Sequence, residues 1–191
     1  MQIVLASKSP RRIELLQELG LKFETYSPDF KEREGEIDED PAEIALHNAL
    51  GKAQEAQKRF KNAIIIGVDT VGSSHGHILG KPKDREGATR RIRLISGTTH
   101  KVVSAVAIIN TKSGKIISAT TETLITMDKM DEAEIQAYID TGEGDDKAAA
   151  YAIQGKGSLF IKKIEGDYFN VVGLPIYTLK KLLKKFSVDL L

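Results

Sequence analysis

Two long strand-like segments joined by a short turn constrain the fold of this 191-residue chain most strongly. Lys101–Asn110 (KVVSAVAIIN) and Ile116–Thr126 (IISATTETLIT) are separated only by a turn that contains KSGK, so we interpret them as an antiparallel hairpin. A third segment, the apolar run Ala63–Asp69 (AIIIGVD), is typical of a buried strand and ends on a carboxylate. Together the three segments predict a β-sheet with buried strands.

Helical patterns alternate with these strands. The Ser-Pro pair at positions 9–10 is a strong helix start, and Gly20 ends that helix. A second helix is predicted from Asp40-Pro41 to about Phe60, with Glu43 completing its start signal. One face of this helix carries only small residues: Ala45, Ala49, Ala53 and Ala56. Further helices are predicted over about 84–95, 131–141 and 175–186.

Two segments between the first two helices are not predicted to be helical. LKFETY, at Leu21–Tyr26, alternates as a strand does, and the acidic stretch Asp29–Asp40 is expected to be an exposed loop. Strands mixed with helices, including one long antiparallel hairpin, predict an α/β fold with a mixed sheet. The length suits one large domain or two small lobes.

Composition excludes several classes of protein. The 28 basic and 27 acidic residues give a net charge of +1, so no global field attracts nucleic acid or an anionic membrane. No segment approaches the roughly 20 apolar residues of a membrane span. The chain has no cysteine, which excludes thiolate catalysis and cysteine metal sites and suits a reducing compartment. We expect a cytoplasmic protein that binds neither nucleic acid nor membrane, and any anion site must be local.

The first candidate site is SKSPRR at the start of the first helix. Helix N-termini bind anions through free N–H groups and the helix dipole. Arg11 and Arg12 in the first turn oppose that dipole unless an anion offsets them, which favours a phosphate ligand. The alternative is that both arginines are solvated or paired with Glu14 and the acidic loop.

A second group of candidates lies farther along the chain. Asp69, where an apolar strand emerges, is well placed for catalysis or metal binding, although it or Thr70 could simply cap a turn. Lys52 lies at the edge of the alanine face, where a lysine ordinarily extends to solvent. Lys81, between Gly80 and Pro82, is either a constrained phosphate ligand or an ordinary turn lysine.

These fragments, together with others spread over the chain, resemble the Maf-type nucleoside triphosphate pyrophosphatases. The motifs that carry the resemblance are LASKSPRR, GVDTV, LGKP, SGTTHKVVSAVAI, YIDTGEGDDKAAAYAIQGKGSLFI and IEGDYFNVVGLP. The resemblance implies a single domain over 1–191 with two lobes around a central cleft, similar to inosine triphosphate pyrophosphatases. It also implies a homodimer, dependence on a divalent cation, and hydrolysis of nucleoside triphosphates to nucleoside monophosphate and pyrophosphate.

Carried over residue by residue, the resemblance assigns Asp69 as the catalytic carboxylate. It assigns the phosphates to a set of polar and basic residues: Ser7, Arg11, Arg12, Lys52 and Lys81. A triphosphate brings about four negative charges, and its hydrolysis depends on positioning and neutralising them beside a base that orients water. Glu32 resembles a family glutamate that would hold the metal with Asp69, and an oxygen-only site suits Mg²⁺ or Mn²⁺.

Base contacts divide the family, and Arg11, Thr70 and Gln154 resemble the subgroup that prefers dTTP and UTP. The Gln154 amide offers a donor and an acceptor, which suits the O4 and N3–H edge of uracil or thymine, and the glycines around it would let the base approach. The chain departs from the family at Gly144, where proline is usual, and at Ala149 and Ala152, where glycine is usual. An alternative function is a nucleotide-binding regulator of cell division, a septum-formation inhibitor with little turnover.

Overall fold

The computed structural model describes residues 1–191 and confirms the predicted α/β fold with a mixed sheet. Seven strands form one sheet: β1 (Gln2–Ala6), β2 (Glu24–Thr25), β3 (Ala63–Ser74), β4 (His77–Leu79), β5 (Thr99–Asn110), β6 (Ile116–Met127) and β7 (Ile161–Glu165). Six α-helices flank it: α1 (Pro10–Glu18), α2 (Pro41–Arg59), α3 (Arg85–Ile95), α4 (Glu132–Asp140), α5 (Tyr168–Val172) and α6 (Ile176–Lys184). None of these helices has both the length and the apolar character that crossing a bilayer requires.

The strand order is β2-β1-β3-β5-β6-β7, with β4 paired to the far end of β3. The pairs that β1 makes with β2 and β3 are parallel, and the remaining pairs are antiparallel. The predicted hairpin is β5 and β6, which pair in continuous register from Thr99 opposite Thr126 to Ile109 opposite Ile116. The division into two lobes stays a prediction.

Alternation along β3 sends neighbouring side chains to opposite faces of the sheet. Ile64, Ile66 and Val68 pack into the larger core, whereas Ala63 and Ile65 pack on the side of α2. Asp69 follows the odd-numbered series, so it faces α2. Thr70 faces the opposite side.

Helix α2 packs very closely on the sheet because its contact face is built from alanines. Ala45, Ala49, Ala53 and Ala56 are all completely buried. At Gly67 of β3 an added Cβ would lie only 2.1 Å from the carbonyl oxygen of Ala49, so no larger residue fits there without moving the helix. This close packing brings the polar side chains of α2 within reach of Asp69 on β3.

Candidate active site

A cavity of about 740 Å³ opens where β1 stops and β3 continues. The last residue of β1, Ala6, pairs with Gly67, and beyond this point the chain turns into α1 while β3 runs on to Ser74. Five other segments form much of the remaining wall: the loop 27–35, part of α2, the loop 80–83, the segment 146–153 and the turn 171–173. The cavity therefore lies beyond the carboxyl end of β1 and beside the continuing strand β3. Ligands of α/β proteins commonly bind beyond the carboxyl ends of strands.

Asp69 lies in the cavity wall and is almost fully buried. Its Oδ1 accepts a hydrogen bond from Lys52 Nζ at 2.6 Å, and its Oδ2 accepts one from Asn48 Nδ2 at 3.1 Å. Lys52 also contacts Glu32 Oε1 at 2.7 Å and the Val68 carbonyl at 3.4 Å. Lys52 thus lies between the two carboxylates, inside the protein, and does not extend to solvent.

Glu32 approaches this centre from the irregular acidic loop that the sequence predicted. Burial raises the pKa of Glu32, but the attraction and hydrogen bond of Lys52, with smaller contributions from Lys81 and Arg12, outweigh burial and lower that pKa overall. Glu32 is therefore a carboxylate at neutral pH, as is required of a metal ligand. No group of three or more His, Asp or Glu side chains converges to hold an ion by itself.

Arg12 lies close to Asp69 but is engaged by the protein. Its guanidinium donates to the carbonyl oxygens of Gly173 (2.8 Å) and Val68 (3.0 Å) and to the hydroxyls of Thr70 (3.1 Å) and Ser7 (3.3 Å). Burial lowers its pKa, and the nearby carboxylates of Asp69 and Glu32 oppose that shift. Four of its five N–H groups have partners, so one remains for a phosphate.

Ser7 and Thr70 are both tied to Arg12. The Ser7 hydroxyl, which is buried, also accepts the backbone N–H of Ser9. The Thr70 hydroxyl bonds to Ser104 Oγ at 2.8 Å, and Ser104 in turn donates to the carbonyl of Asn170. Both predicted ligands therefore line the cavity while holding α1 and α5 onto the sheet.

Arg11 and Lys81 differ from these residues because neither makes a side-chain hydrogen bond or a close ion pair with the protein. Both line the cavity, Arg11 half-buried and Lys81 exposed. Burial lowers the pKa of Arg11, and attraction to Asp146 and Glu14 partly offsets that shift. Among the predicted phosphate ligands, Arg11 and Lys81 are therefore free to bind a phosphate.

Gln154 is not in the cavity wall. Its side chain is exposed and makes no hydrogen bond, although its neighbours Ala152 and Ile153 do line the cavity. Its role in base recognition stays a prediction.

The glycines after Gln154 have a structural reason within the chain. Glu143 accepts the backbone N–H groups of Lys156 and Gly157, each at 2.8 Å. An added Cβ would lie 2.1 Å from Glu143 Oε1 at Gly155, and 2.2 Å from the Ala152 carbonyl at Gly157. Close packing of this loop on itself therefore explains these glycines without a bound base.

The departures from the family pattern have structural consequences in the same loop. Ala149, where glycine is usual, has φ +59°, and Ala150 has φ +63°. Each is a left-handed conformation that an L-residue adopts at a cost of about 1–2 kcal/mol. At Gly144 an added Cβ would lie 1.9 Å from the Ala150 carbonyl, so the two departures occur at parts of the loop that touch each other.

Sequence reasoning did not single out Asn48 or Arg91, which both line the cavity. Asn48 is almost fully buried and contacts Asp69. Its only signal in the sequence is a polar residue four positions before Lys52, beside the alanine face. Arg91 of α3 also lines the cavity, with a buried Nε that has no partner, and its single hydrogen bond goes to the Gly87 carbonyl.

Comparison with known proteins identifies relatives that cover this whole chain. The family model described as Maf-like protein matches residues 2–186. A dTTP/UTP pyrophosphatase of Thermoanaerobacter sp. is 48% identical over 193 residues, covering 100% of both chains. A dTTP/UTP pyrophosphatase of Dictyoglomus turgidum is 44% identical over 190 residues, covering 100% of this chain and 98% of the relative. The solved structure of the Staphylococcus aureus Ham1 protein shares the fold, with a TM-score of 0.52, 14% identity and 98% coverage of each chain.

Proposed function

This chain belongs to the Maf-like protein family, and we propose that it is an enzyme that hydrolyses nucleoside triphosphates, dTTP and UTP foremost, to nucleoside monophosphate and pyrophosphate. One observation carries the proposal beyond family membership. The buried carboxylate Asp69 faces a cavity that also presents two basic side chains, Arg11 and Lys81, without partners in the protein. A carboxylate opposed by free cations suits an anionic substrate attacked by water.

The chain's own residues have separate roles in this reaction. Arg11 and Lys81 bind phosphate oxygens and neutralise their charge. Asp69 accepts a proton from the attacking water as the water oxygen bonds to phosphorus and the bond to the α–β bridging oxygen breaks. Each Asp69 oxygen has one donor in the protein and a second lone pair free to accept from water.

Lys52 neutralises the two carboxylates that face each other across it. All three of its N–H groups already have acceptors, so contact with a phosphate requires Lys52 to give up one of them. The Val68 carbonyl, at 3.4 Å, is the weakest of the three. Lys52 therefore acts first by holding Glu32 and Asp69 together.

A divalent cation fits this donor set only in combination with the substrate. Mg²⁺ is commonly held by one or two carboxylates together with substrate phosphates and water, and Glu32 and Asp69 supply two such carboxylates. The ion would polarise phosphate oxygens and offset their charge. The cation, the homodimer and the cytoplasmic location stay predictions from sequence.

A nucleotide panel tests the proposal. Pyrophosphate release is measured with dTTP, UTP, CTP, GTP and ATP, with Mg²⁺, with Mn²⁺ and without added metal. We expect release to be fastest with dTTP and UTP, and Asp69→Asn to lower kcat by about 10²–10⁴-fold because the base is lost while the shape is kept. Nucleotide binding without pyrophosphate release in the wild type would instead support the regulator alternative.

A further inference from the structure

Asn48 is the most deeply buried polar side chain at the centre of the site, at 2% exposure, and no motif in the sequence assigns it a role. It lies on α2 one turn before Lys52, so the two side chains project from the same face of the helix. Both reach Asp69, one at each carboxylate oxygen. Helix α2 therefore supplies a donor to both oxygens of the predicted catalytic group.

Both N–H groups and the oxygen of the Asn48 amide have partners. Its Nδ2 donates to Asp69 Oδ2 and to the carbonyl of Arg33, both at 3.1 Å, and its Oδ1 accepts the backbone N–H of Arg33 at 2.8 Å. A carboxylate only accepts and a backbone N–H only donates, so these partners leave a single orientation for the amide. Any change of residue at this position must leave at least one buried group unpaired.

Two parallel bridges then connect the acidic loop to Asp69. One runs from the Glu32 carboxylate through Lys52, and the other runs from the Arg33 backbone through Asn48. The bridges join adjacent loop residues to opposite oxygens of one carboxylate. Rotation of Asp69 about its side-chain bonds would break both bridges, and withdrawal of the loop would do the same.

We propose that Asn48 is a positioning residue for the hydrolysis: its amide fixes the orientation of the Asp69 carboxylate and couples it to the loop that delivers Glu32. The inference rests on the proposed function. It goes beyond that function because it makes the catalytic geometry depend on a residue that need not touch the nucleotide. Loss of this contact should lower turnover more than substrate binding.

The first test compares Asn48→Leu with Asn48→Asp on UTP. We expect Asn48→Leu, which has the same branching and number of side-chain heavy atoms but no donor, to lower kcat by roughly 10–100-fold, as is typical when a partner that orients an active-site ligand is lost. KM for UTP, and Kd for a non-hydrolysable α,β-methylene analogue, should change by less than about threefold, because Arg11 and Lys81 are untouched. A loss of binding with unchanged kcat would overturn the proposal.

Asn48→Asp separates positioning of Asp69 from simple attachment of the loop. The aspartate keeps an acceptor for the Arg33 N–H but turns a second carboxylate toward Asp69 Oδ2. Positioning predicts that kcat falls at least as far as in Asn48→Leu, whereas loop attachment alone predicts the smaller loss. The matched control is Glu39→Gln, which removes the Arg33–Glu39 ion pair in the same loop without touching Asp69 and should keep wild-type kcat.

A double-mutant cycle measured by thermal unfolding tests the contact between Asn48 and Asp69 independently of turnover. Asn48→Asp should lower Tm, and adding Asp69→Asn should recover part of that loss, because a donor again faces an acceptor. Strictly additive Tm changes would overturn the inference. If the wild type releases no pyrophosphate from any nucleotide, the proposed function fails together with the catalytic part of the inference; an active wild type with an equally active Asn48→Leu defeats the inference alone.

Discussion

Arg11 and Arg12 are neighbours in the chain, but their guanidinium groups lie in different environments. Arg12 donates four hydrogen bonds, which connect α1 to Ser7, to the middle of β3 and to the turn before α6, whereas Arg11 donates none. The helix turns by about 100° per residue, so adjacent side chains cannot share one direction. A single motif thus provides one structural arginine and one arginine available to a ligand.

The two arginines should therefore respond differently to removal. Arg12→Ala leaves buried carbonyls and hydroxyls without a donor, and we expect it to lower the free energy of unfolding by roughly 3 kcal/mol. Arg11→Ala should leave stability unchanged and weaken binding of every nucleoside triphosphate by about 10–100-fold, the loss of one charge-assisted contact. Urea unfolding and nucleotide titration of both variants check this. A stable Arg12→Ala enzyme with reduced affinity would contradict the assignment.

At the residue scale, most of the predicted site residues lie together at the cavity, but the sequence did not show which contacts each of them makes within the protein. Asp69 and Lys52 could be named from the resemblance, and both lie at the cavity. Asn48 could not, because a single asparagine on a helix carries no motif, and its importance comes from tertiary contacts with Asp69 and the Arg33 backbone. The inward direction of Lys52 also depends on tertiary contacts, since a buried ammonium needs the carboxylates of Glu32 and Asp69, which lie on other elements.

At the element scale, the long helices and strands were predicted well, whereas the short ones were not. The helix predicted from Asp40 to about Phe60 is α2, Pro41–Arg59. The strand expected at Leu21–Tyr26 shrinks to Glu24–Thr25, because β1 offers it only two pairing positions before the chain leaves to line the cavity. Helix α5 was not predicted, since its five residues are held by Asn170, which bonds to the backbone of β5 and to Thr123 of β6.

The loop from Glu143 to Gly157 provides a paired test of base recognition. Gln154→Ala removes an exposed side chain that makes no hydrogen bond, so we expect unchanged stability. If the amide pairs with uracil or thymine, the substitution should raise KM for UTP and dTTP by about 2–10-fold and leave GTP and ATP unaffected. The measurement is kcat/KM for each nucleotide.

Glu143→Gln is the matched control, because it weakens the loop itself. Burial raises the pKa of Glu143, but hydrogen bonds from the backbone N–H groups of Lys156 and Gly157 and from the Tyr138 hydroxyl outweigh burial and lower that pKa overall. Glu143 therefore accepts these bonds as a carboxylate. An amide at this position would direct a donor toward a backbone N–H. Glu143→Gln should lower Tm and reduce turnover of every nucleotide alike; a uniform loss in Gln154→Ala as well would remove Gln154 from base recognition.

At the scale of the whole molecule, His100 makes stability depend on pH. The ring is 2% exposed, its Nε2 bonds to the Tyr151 hydroxyl at 2.8 Å, and its Nδ1 has no partner. Burial lowers the pKa of His100 from 6.5 to about 4. The folded protein therefore excludes a proton that the unfolded chain accepts between these two values.

The contribution of His100 is complete above pH 6.5 and is lost as the pH falls toward 4. We expect this one group to reduce the free energy of unfolding by about 3 kcal/mol over that window. Urea unfolding at pH 7.5 and pH 4 measures the change. His100→Gln should show a shallower pH dependence, and the exposed His77→Gln should keep the wild-type slope; equal slopes in all three proteins would refute the role of His100.

The alanine face of α2 has a consequence for how the protein tolerates mutation. A side chain larger than alanine at Ala49 or Ala53, or any Cβ at Gly67, would push α2 away from β3 and carry Lys52 and Asn48 away from Asp69. The substitutions that abolish activity in a saturation library should thus extend along a stripe of small residues that no nucleotide reaches. The set of residues at which mutation abolishes activity should therefore be larger than the set that lines the cavity.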